Sequence, residues 1–172
     1  MPTADKQQLV DKARGFAAEH TEPAHETRPE LSLAIVTCMD SRIALFPLFG
    51  LDEGDAHIIR NAGGIVTDDV LRSLVVSQDL LDTREIFIIQ HTECGLHNVS
   101  ESELRRKLKD ETGAQPEWDF GAFQNIDDSV RRSIARIEAC PFIKHKNEIY
   151  GFVYDVKTRG LREVAAAPTT LP

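Results

Sequence analysis

The chain has few cysteines, few aromatic residues and no long hydrophobic run. Its 172 residues include three cysteines and one tryptophan. No apolar stretch approaches the roughly 18 residues of a membrane span, and the N-terminus lacks the apolar core of a signal peptide. An odd number of cysteines cannot form a fully paired disulfide framework, and free thiols suit a reducing compartment. We therefore expect a cytoplasmic protein with no membrane partner.

Basic residues are also scarce relative to acidic ones. The net charge is -8 and the isoelectric point is near 5.2. This balance argues against binding to nucleic acid or to an anionic membrane surface. The length suits one domain with its own core, so we expect residues 1–172 to form a single domain.

Apolar strands alternate with amphipathic helices along the chain. This order predicts an α/β fold with a mostly parallel central β-sheet flanked by helices. A C-terminal antiparallel strand is expected where residues 161–164 pair back on residues 149–156. Residues 1–30 are expected to form a helix and a link, and residues 166–172 a flexible tail. The other predicted strands are 31–37, 56–60 and 85–90, and the predicted helices are 4–19, 43–49, 67–80, 101–110 and an amphipathic helix marked by Phe123, Ile126, Val130, Ile134 and Ile137.

Two of the predicted strands end in residues that commonly bind metals. The strand before His91 consists mainly of Ile and Phe residues, and Cys94 follows three positions after His91. A second apolar strand ends at Cys38. Zinc binds neutral imidazole nitrogen and thiolate sulfur together, so these three residues form a candidate site with one open position. Buried thiols with a capping histidine explain the same residues, and both interpretations stay open because spacing alone does not bring Cys38 to the other two.

Asp40 and Arg42 follow the first of these cysteines. In an extended chain residues 38, 40 and 42 face one way, which would place both side chains beside the metal. A bidentate guanidinium could then hold Asp40 away from the open position and leave it able to accept a hydrogen bond. The alternative is a surface ion pair that contributes roughly 0–1 kcal/mol. His97 is the one histidine outside the ligand set that lies near this region, and it is a weaker candidate for proton transfer.

Three short motifs occur in order along the chain. They are C-x-D-S-R at residues 38–42, R-N-A-G at residues 60–63 and H-T-x-C-G at residues 91–95. Taken together they resemble the β-class carbonic anhydrases, and the resemblance runs from about residue 31 to residue 156. The short chain is similar to the compact bacterial members of that class.

The resemblance implies a function and a set of site residues. It implies one Zn²⁺ per chain, with Cys38, His91 and Cys94 as ligands and with Asp40 and Arg42 as the catalytic dyad. The implied reaction is the reversible hydration of carbon dioxide to bicarbonate and a proton by zinc-bound hydroxide. It further implies a homodimer formed by the N-terminal arm, and it leaves open whether dimers pair into tetramers.

The sequence departs from the family pattern and leaves other functions open. The segment before the first ligand strand, HETRPELS, lacks the glutamine that many members carry there. Ile35 stands where members inhibited by bicarbonate carry a tryptophan, so that form of regulation is not expected. A COS or CS2 hydrolase on the same scaffold would carry the same motifs. A non-catalytic zinc module for partner binding would instead need a fourth protein ligand.

Overall fold

A computed structural model describes residues 4–21 and 26–165, and within them the chain forms one five-stranded sheet. The strands are β1 (Leu33–Cys38), β2 (Ala56–Asn61), β3 (Glu85–His91), β4 (Ile149–Tyr154) and β5 (Leu161–Glu163). Their order across the sheet is β2-β1-β3-β4-β5. Strands β1 to β4 are parallel and β5 is antiparallel to β4. The predicted fold class is confirmed.

Four of the α-helices in the described residues begin where a polar side chain can satisfy their first backbone N–H groups. The side chains of Asp5, Thr67, Ser100 and Asn125 each accept such a bond. The elements are α1 (Lys6–Glu19), α2 (Leu45–Phe49), a 3₁₀ turn (Ala62–Gly64), α3 (Asp68–Asp79), α4 (Glu101–Thr112) and α5 (Ile126–Ala139).

The start of α5 corrects the prediction at one position. Phe123 was expected on the apolar face of this helix, but it lies before Asn125, the residue that caps it. Phe123 is nevertheless buried, and its backbone forms an isolated parallel bridge with His97. The helical spacing of apolar residues therefore extends beyond the start of α5, because Phe123 is buried in the preceding loop and fits the spacing by chance.

The sheet has an apolar core on each face. One core includes Ile35, Ile89 and Phe123, and it also contains Cys38 and Cys94. The other core joins the sheet to α3 and α5 and includes Val36, Ile86, Ile88, Leu74 and Ile137. Every residue of β1 is buried, as expected for a strand in the interior of a parallel sheet. The carboxyl ends of β1 and β3 therefore meet at a buried edge of the first core.

Gly64 allows the 3₁₀ turn to pack directly on the ends of β1 and β3. Its φ is +62°, and a Cβ atom there would lie 2.7 Å from the backbone nitrogen of Cys38 and 2.9 Å from the carbonyl oxygen of Ile89. Both of these atoms belong to the backbone, so they cannot move away as a flexible side chain could. Only glycine fits this approach, which brings residue 63 against the cysteine at the end of β1.

The N-terminal helix α1 contributes no residue to either apolar core. None of the residues of α1 is buried, and Leu9 and Phe16 are each more than half exposed.

Two of the predicted segments cannot be compared with the structure. The expected flexible tail, 166–172, and part of the expected link, 22–25, lie outside the described residues. Among the residues that are described, no helix combines the length and the apolar character needed to span a membrane.

Glu101 anchors the long connection between α4 and α5. Its Oε1 accepts hydrogen bonds from the backbone nitrogens of Gly121 (2.7 Å) and Ala122 (2.9 Å). The bond from Ala122 makes the largest contribution to lowering the pKa of the Glu101 carboxyl, while partial burial opposes the shift. The ionised form of Glu101 therefore stabilises the fold.

We predict that Glu101→Gln lowers the free energy of unfolding by about 1 kcal/mol at pH 7. A carboxyl whose folded-state pKa is depressed stabilises the protein above its unfolded pKa of about 4.3. That contribution is lost as the pH falls through the lower folded-state value, so the difference between wild type and variant should shrink in acid. Urea unfolding from pH 3 to pH 8 measures it, with Glu103→Gln on the same helix as control. A difference that does not change with pH contradicts the prediction.

Candidate metal centre

The structure brings the three predicted metal ligands together. One ligand atom from each of Cys38, His91 and Cys94 lies within 4.8 Å of the others, and all three residues are buried. Cys38 ends β1 and His91 ends β3, and these two strands are hydrogen-bonded neighbours in the parallel sheet. Cys94 lies in the turn after β3. The pairing of β1 with β3 therefore brings Cys38 to His91 and Cys94, which the spacing of these residues in the sequence did not establish.

His91 has one ring nitrogen with a partner and one without. Nδ1 lies 2.9 Å from the carbonyl oxygen of Thr92, so Nδ1 must carry the donated proton. Nε2 is buried and has no hydrogen-bond partner. A buried nitrogen without a partner is costly unless a proton or a metal ion occupies its lone pair. This arrangement is typical of a histidine that binds a metal through Nε2.

The two sulfur atoms share one proton, and the Cys38 thiol is the one poised to be deprotonated. A hydrogen bond from the Cys94 thiol makes the largest contribution to lowering the pKa of Cys38, against the opposing effect of burial. Backbone N–H groups of Asp40 and Gly63 lower it further. The same thiol pair raises the pKa of Cys94, because the proton is held between two sulfurs. A divalent cation would displace that proton and take its place in the charge balance.

The surroundings of His91 also indicate a site where a metal ion would displace a proton. Burial disfavours a charged imidazole, but the Cys38 sulfur and the Asp40 carboxylate together raise the pKa of His91. A proton and a metal ion therefore compete for Nε2, and metal binding should release protons.

The donor set fits zinc. Two thiolates and one imidazole match a borderline-soft ion, and bond lengths of about 2.3 Å to sulfur and 2.0 Å to nitrogen put tetrahedral ligand atoms about 3.5–3.8 Å apart. That spacing lies within the 4.8 Å span of the three residues. Three protein ligands leave one tetrahedral position for another molecule, as in catalytic rather than structural zinc sites.

Asp40 and Arg42 form a bidentate pair beside these ligands. Arg42 Nε donates to Oδ1 of Asp40 at 3.0 Å, and Nη2 donates to Oδ2 at 2.7 Å. The guanidinium holds the pKa of the Asp40 carboxyl well below its usual range. Oδ2 lies 3.8 Å from Nε2 of His91. An ionised carboxylate therefore lies next to the candidate metal ligands with both of its oxygens bound by one arginine.

The backbone between these two residues corrects the extended geometry assumed from sequence. Residues 40–43 form a turn, in which the nitrogen of Ile43 donates to the carbonyl oxygen of Asp40. The nitrogen of Arg42 also donates to Oδ1 of Asp40 at 2.9 Å. The pairing thus comes from a tight turn closed by an aspartate side chain and not from strand alternation.

Other residues noted in the sequence have simpler surroundings. His97 is exposed; its Nε2 donates to the carbonyl oxygen of Gln124 at 2.9 Å, and its ring stacks on Phe123. Its role in proton transfer stays a prediction. Arg60 donates to the carbonyl oxygen of Ile43 at 2.9 Å. Cys140 follows the last residue of α5, away from the ligand group.

Sequence reasoning missed two charged residues near the pair, one that contacts Arg42 and one that contacts the first. Glu93 lies between the ligands His91 and Cys94, and its carboxylate and carbonyl oxygens both face Arg42. Lys157 in turn contacts the Glu93 carboxylate. Glu93 occupies the unspecified position of H-T-x-C-G, so the motif carried no signal for it. Lys157 lies in a turn far along the chain, where only tertiary contacts could reveal it.

Comparison with known proteins identifies the family. Residues 33–161 match the family model described as carbonic anhydrase. The β-carbonic anhydrase 1 of Mycobacterium tuberculosis is 44% identical over 155 residues, which cover 90% of this chain and 92% of the relative. The chain belongs to the β-carbonic anhydrase family. This confirms the resemblance read from the three motifs and gives the enzyme class, a lyase.

Two further comparisons describe the range of this β-carbonic anhydrase family. A solved carbonic anhydrase from Streptococcus mutans superposes with a TM-score of 0.88 at 40% identity, covering 96% of this chain and all of the other. A carbon disulfide hydrolase from Acidithiobacillus thiooxidans is 31% identical over 163 residues, 80% of this chain and 73% of the relative. The scaffold of this family therefore occurs in enzymes with two different named activities.

We predict that the purified protein binds one zinc ion per chain and that Cys38→Ser loses it. Replacing a thiolate by a hydroxyl removes a soft, charged ligand, and we expect a fall of at least about tenfold in zinc affinity. Competition with a chromophoric chelator, with zinc content measured by mass spectrometry, provides the test. Cys140→Ser is the matched control and should bind as wild type does. Equal zinc affinity in all three proteins would show that the metal lies elsewhere.

Proposed function

We propose that this chain catalyses the reversible hydration of carbon dioxide to bicarbonate and a proton at a zinc ion held by Cys38, His91 and Cys94. The observation that carries the proposal is the buried, unpartnered Nε2 of His91 beside two sulfurs and an arginine-held carboxylate. Membership of the carbonic anhydrase family supports the same reaction. Zinc, when bound, would supply Lewis acidity that lowers the pKa of water, and because two thiolates cancel the charge of the ion, we expect a smaller lowering than in the three-histidine carbonic anhydrases.

The protein's own groups orient the reactants. Asp40 is ionised throughout the physiological range, because Arg42 lowers its pKa, so this carboxylate accepts a hydrogen bond and does not donate one. An acceptor beside the ligands orients the attacking oxygen toward the carbon of carbon dioxide. Arg42 binds both carboxylate oxygens, which keeps Asp40 from taking the fourth ligand position itself. In this dyad Asp40 orients the attacking oxygen, and Arg42 restrains Asp40.

Hydrolysis of carbon disulfide or carbonyl sulfide is the second candidate. The relative from Acidithiobacillus thiooxidans that carries the name carbon disulfide hydrolase favours it. Both substrates present an electrophilic carbon to the same ligand group and the same dyad. Parallel assays of CO2 hydration and of COS and CS2 hydrolysis separate the candidates. Turnover of CS2 or COS that exceeds CO2 hydration would replace the first proposal.

We predict that Asp40→Asn lowers kcat for CO2 hydration about 10- to 100-fold and leaves the zinc content unchanged. The amide keeps the shape of the side chain, but it removes the charge that Arg42 binds and halves the number of acceptor oxygens. Stopped-flow kinetics with a pH indicator measure the effect. Asp127→Asn is the control, since Asp127 is also bound by an arginine, Arg162, away from the metal ligands.

The result can contradict the proposal in two ways. Full CO2 hydration by Asp40→Asn removes the proposed role of the dyad. A wild type that binds zinc but turns over none of the three substrates supports the non-catalytic zinc module instead.

We also propose that the chain is a single domain that forms a homodimer through its N-terminal arm, residues 1–30. The support is that α1 buries none of its residues within the chain and exposes Leu9 and Phe16 on its surface. We predict a dimer by light scattering, with Phe16→Glu shifting the population to monomer at micromolar concentration. A tetramer would add a second interface, and a wild-type monomer at all concentrations would overturn the proposal.

The cytoplasmic location is retained as a proposal. Cys38, Cys94 and Cys140 are all unpaired thiols, which a reducing compartment preserves. Cell fractionation with an antibody to the chain tests this, and recovery from an extracellular or membrane fraction would contradict it.

A further inference from the structure

Arg42 is held from two sides. Its Nε and Nη2 bind Asp40, which lies two residues away on the same turn. Its Nη1 lies 3.5 Å from Oε2 of Glu93, and Nη2 donates to the Glu93 carbonyl oxygen at 3.1 Å. Asp40 and Arg42 share one turn, so their mutual bonds do not fix the pair relative to His91 and Cys94. Glu93 provides that connection, because it lies between the two ligands.

The backbone of Glu93 is unusual. Its φ is +55°, a left-handed conformation that residues other than glycine seldom adopt. In this conformation the carbonyl oxygen of Glu93 accepts a bond from Arg42 while its carboxylate faces the same guanidinium. Such backbone conformations persist where the surrounding contacts impose them and are concentrated at functional sites.

Lys157 binds the other oxygen of Glu93. Its Nζ lies 2.5 Å from Oε1, whereas Arg42 faces Oε2. Lys157 is in the turn between β4 and β5, where the carboxylate of Asp155 accepts hydrogen bonds from the backbone nitrogens of Lys157 (2.8 Å) and Thr158 (2.9 Å). The turn is thus ordered by its own hydrogen bonds and presents the lysine toward Glu93.

Two hydrogen bonds tie this turn to the loop that carries the candidate metal ligands. The nitrogen of Thr92 donates to the carbonyl oxygen of Tyr154 at 2.9 Å, and the nitrogen of Val156 donates to Oγ1 of Thr92 at 3.1 Å. Lys157 and Glu93 are therefore fixed on two segments that pack together. The ion pair between them needs little further ordering of the backbone.

We propose that Lys157 is a positioning residue, which acts through the Glu93 carboxylate to keep Arg42 on Asp40. The Glu93 carboxylate competes with Asp40 for one guanidinium. Lys157 takes up part of its charge, and the contact from Arg42 to Glu93 is long, 3.5 Å, while the side-chain contacts to Asp40 are 2.7 and 3.0 Å. Loss of Lys157 leaves Glu93 free to draw the guanidinium away. Asp40 then becomes free to fill the ligand position that Arg42 keeps open.

The ordinary interpretation of these contacts is a surface ion pair. The side chains of Lys157 and Glu93 are 75% and 46% exposed, and such pairs contribute little to stability and are screened by salt. Positioning and stability therefore make separable predictions. If the pair is purely structural, removing it should change the free energy of unfolding or nothing at all. If it positions Arg42, removing it should change the NMR signal of Arg42 and kcat but not the free energy of unfolding.

The test compares Lys157→Met with Lys107→Met, in the zinc-loaded full chain. Lys107 is a similarly exposed lysine whose ion pair is with Glu111 on α4. We expect Lys157→Met to lower kcat about two- to fivefold, with KM, zinc content and urea unfolding unchanged. The Nε–H signal of Arg42 in nitrogen-15 NMR spectra should exchange faster with water in this variant. The control should match wild type in every measurement.

A second variant tests whether the lysine acts through the glutamate. In a Glu93→Gln background the competing charge is absent, so adding Lys157→Met should change kcat and the Arg42 signal by less than about 1.5-fold. Equal effects of Lys157→Met in both backgrounds would overturn the proposal. So would an Arg42 signal and a kcat identical to those of the Lys107→Met control.

The inference rests on the proposed function only through its kinetic arm. If the wild type does not hydrate carbon dioxide, the proposed function fails, and the Arg42 signal still decides whether Lys157 positions that residue. If the wild type is active but Lys157→Met changes neither the signal nor kcat, the positioning role fails and the proposed function stands.

Discussion

Burial of two sulfurs and one imidazole nitrogen in a single small volume is the constraint on which the rest of the site depends. Cys38, His91 and Cys94 have little contact with water, and Nε2 of His91 has no partner. Desolvated thiolates and an unpaired nitrogen are unfavourable without a cation among them. The backbone N–H groups that face the Cys38 sulfur offset part of this cost. A divalent metal ion would remove most of the remainder.

The parallel sheet makes this convergence possible. Strands β1 and β3 are neighbours and end at the same edge, so residues far apart in the chain arrive side by side. Ligands in open α/β sheets gather at this edge for the same reason. Gly64 adds a second layer, because its lack of a side chain lets the 3₁₀ turn pack on the strand ends. The ligand group is thus set on rigid elements, with only Cys94 contributed by a loop.

Charges alternate outward from Asp40. Its carboxylate contacts the Arg42 guanidinium, which faces the Glu93 carboxylate, and that carboxylate contacts the Lys157 ammonium. Of these four side chains, that of Asp40 is the least exposed and that of Lys157 the most exposed. The ion pairs farther from the centre are more exposed, so salt screens them more strongly.

The fold class and the family could be predicted from the sequence, because strand and helix periods are local and the three motifs are specific in combination. The motifs also named Cys38, His91 and Cys94, the three residues that the structure brings together. It misplaced Phe123, and it assumed an extended chain at Asp40 where a turn occurs, since a buried loop residue and a short turn mimic regular patterns. Three further facts came from tertiary contacts: Cys38 lies beside His91, the position of Gly64 has no room for a side chain, and Lys157 contacts Glu93. Those contacts join residues distant in the chain, and their energies depend on burial and on neighbouring charges that no local pattern records.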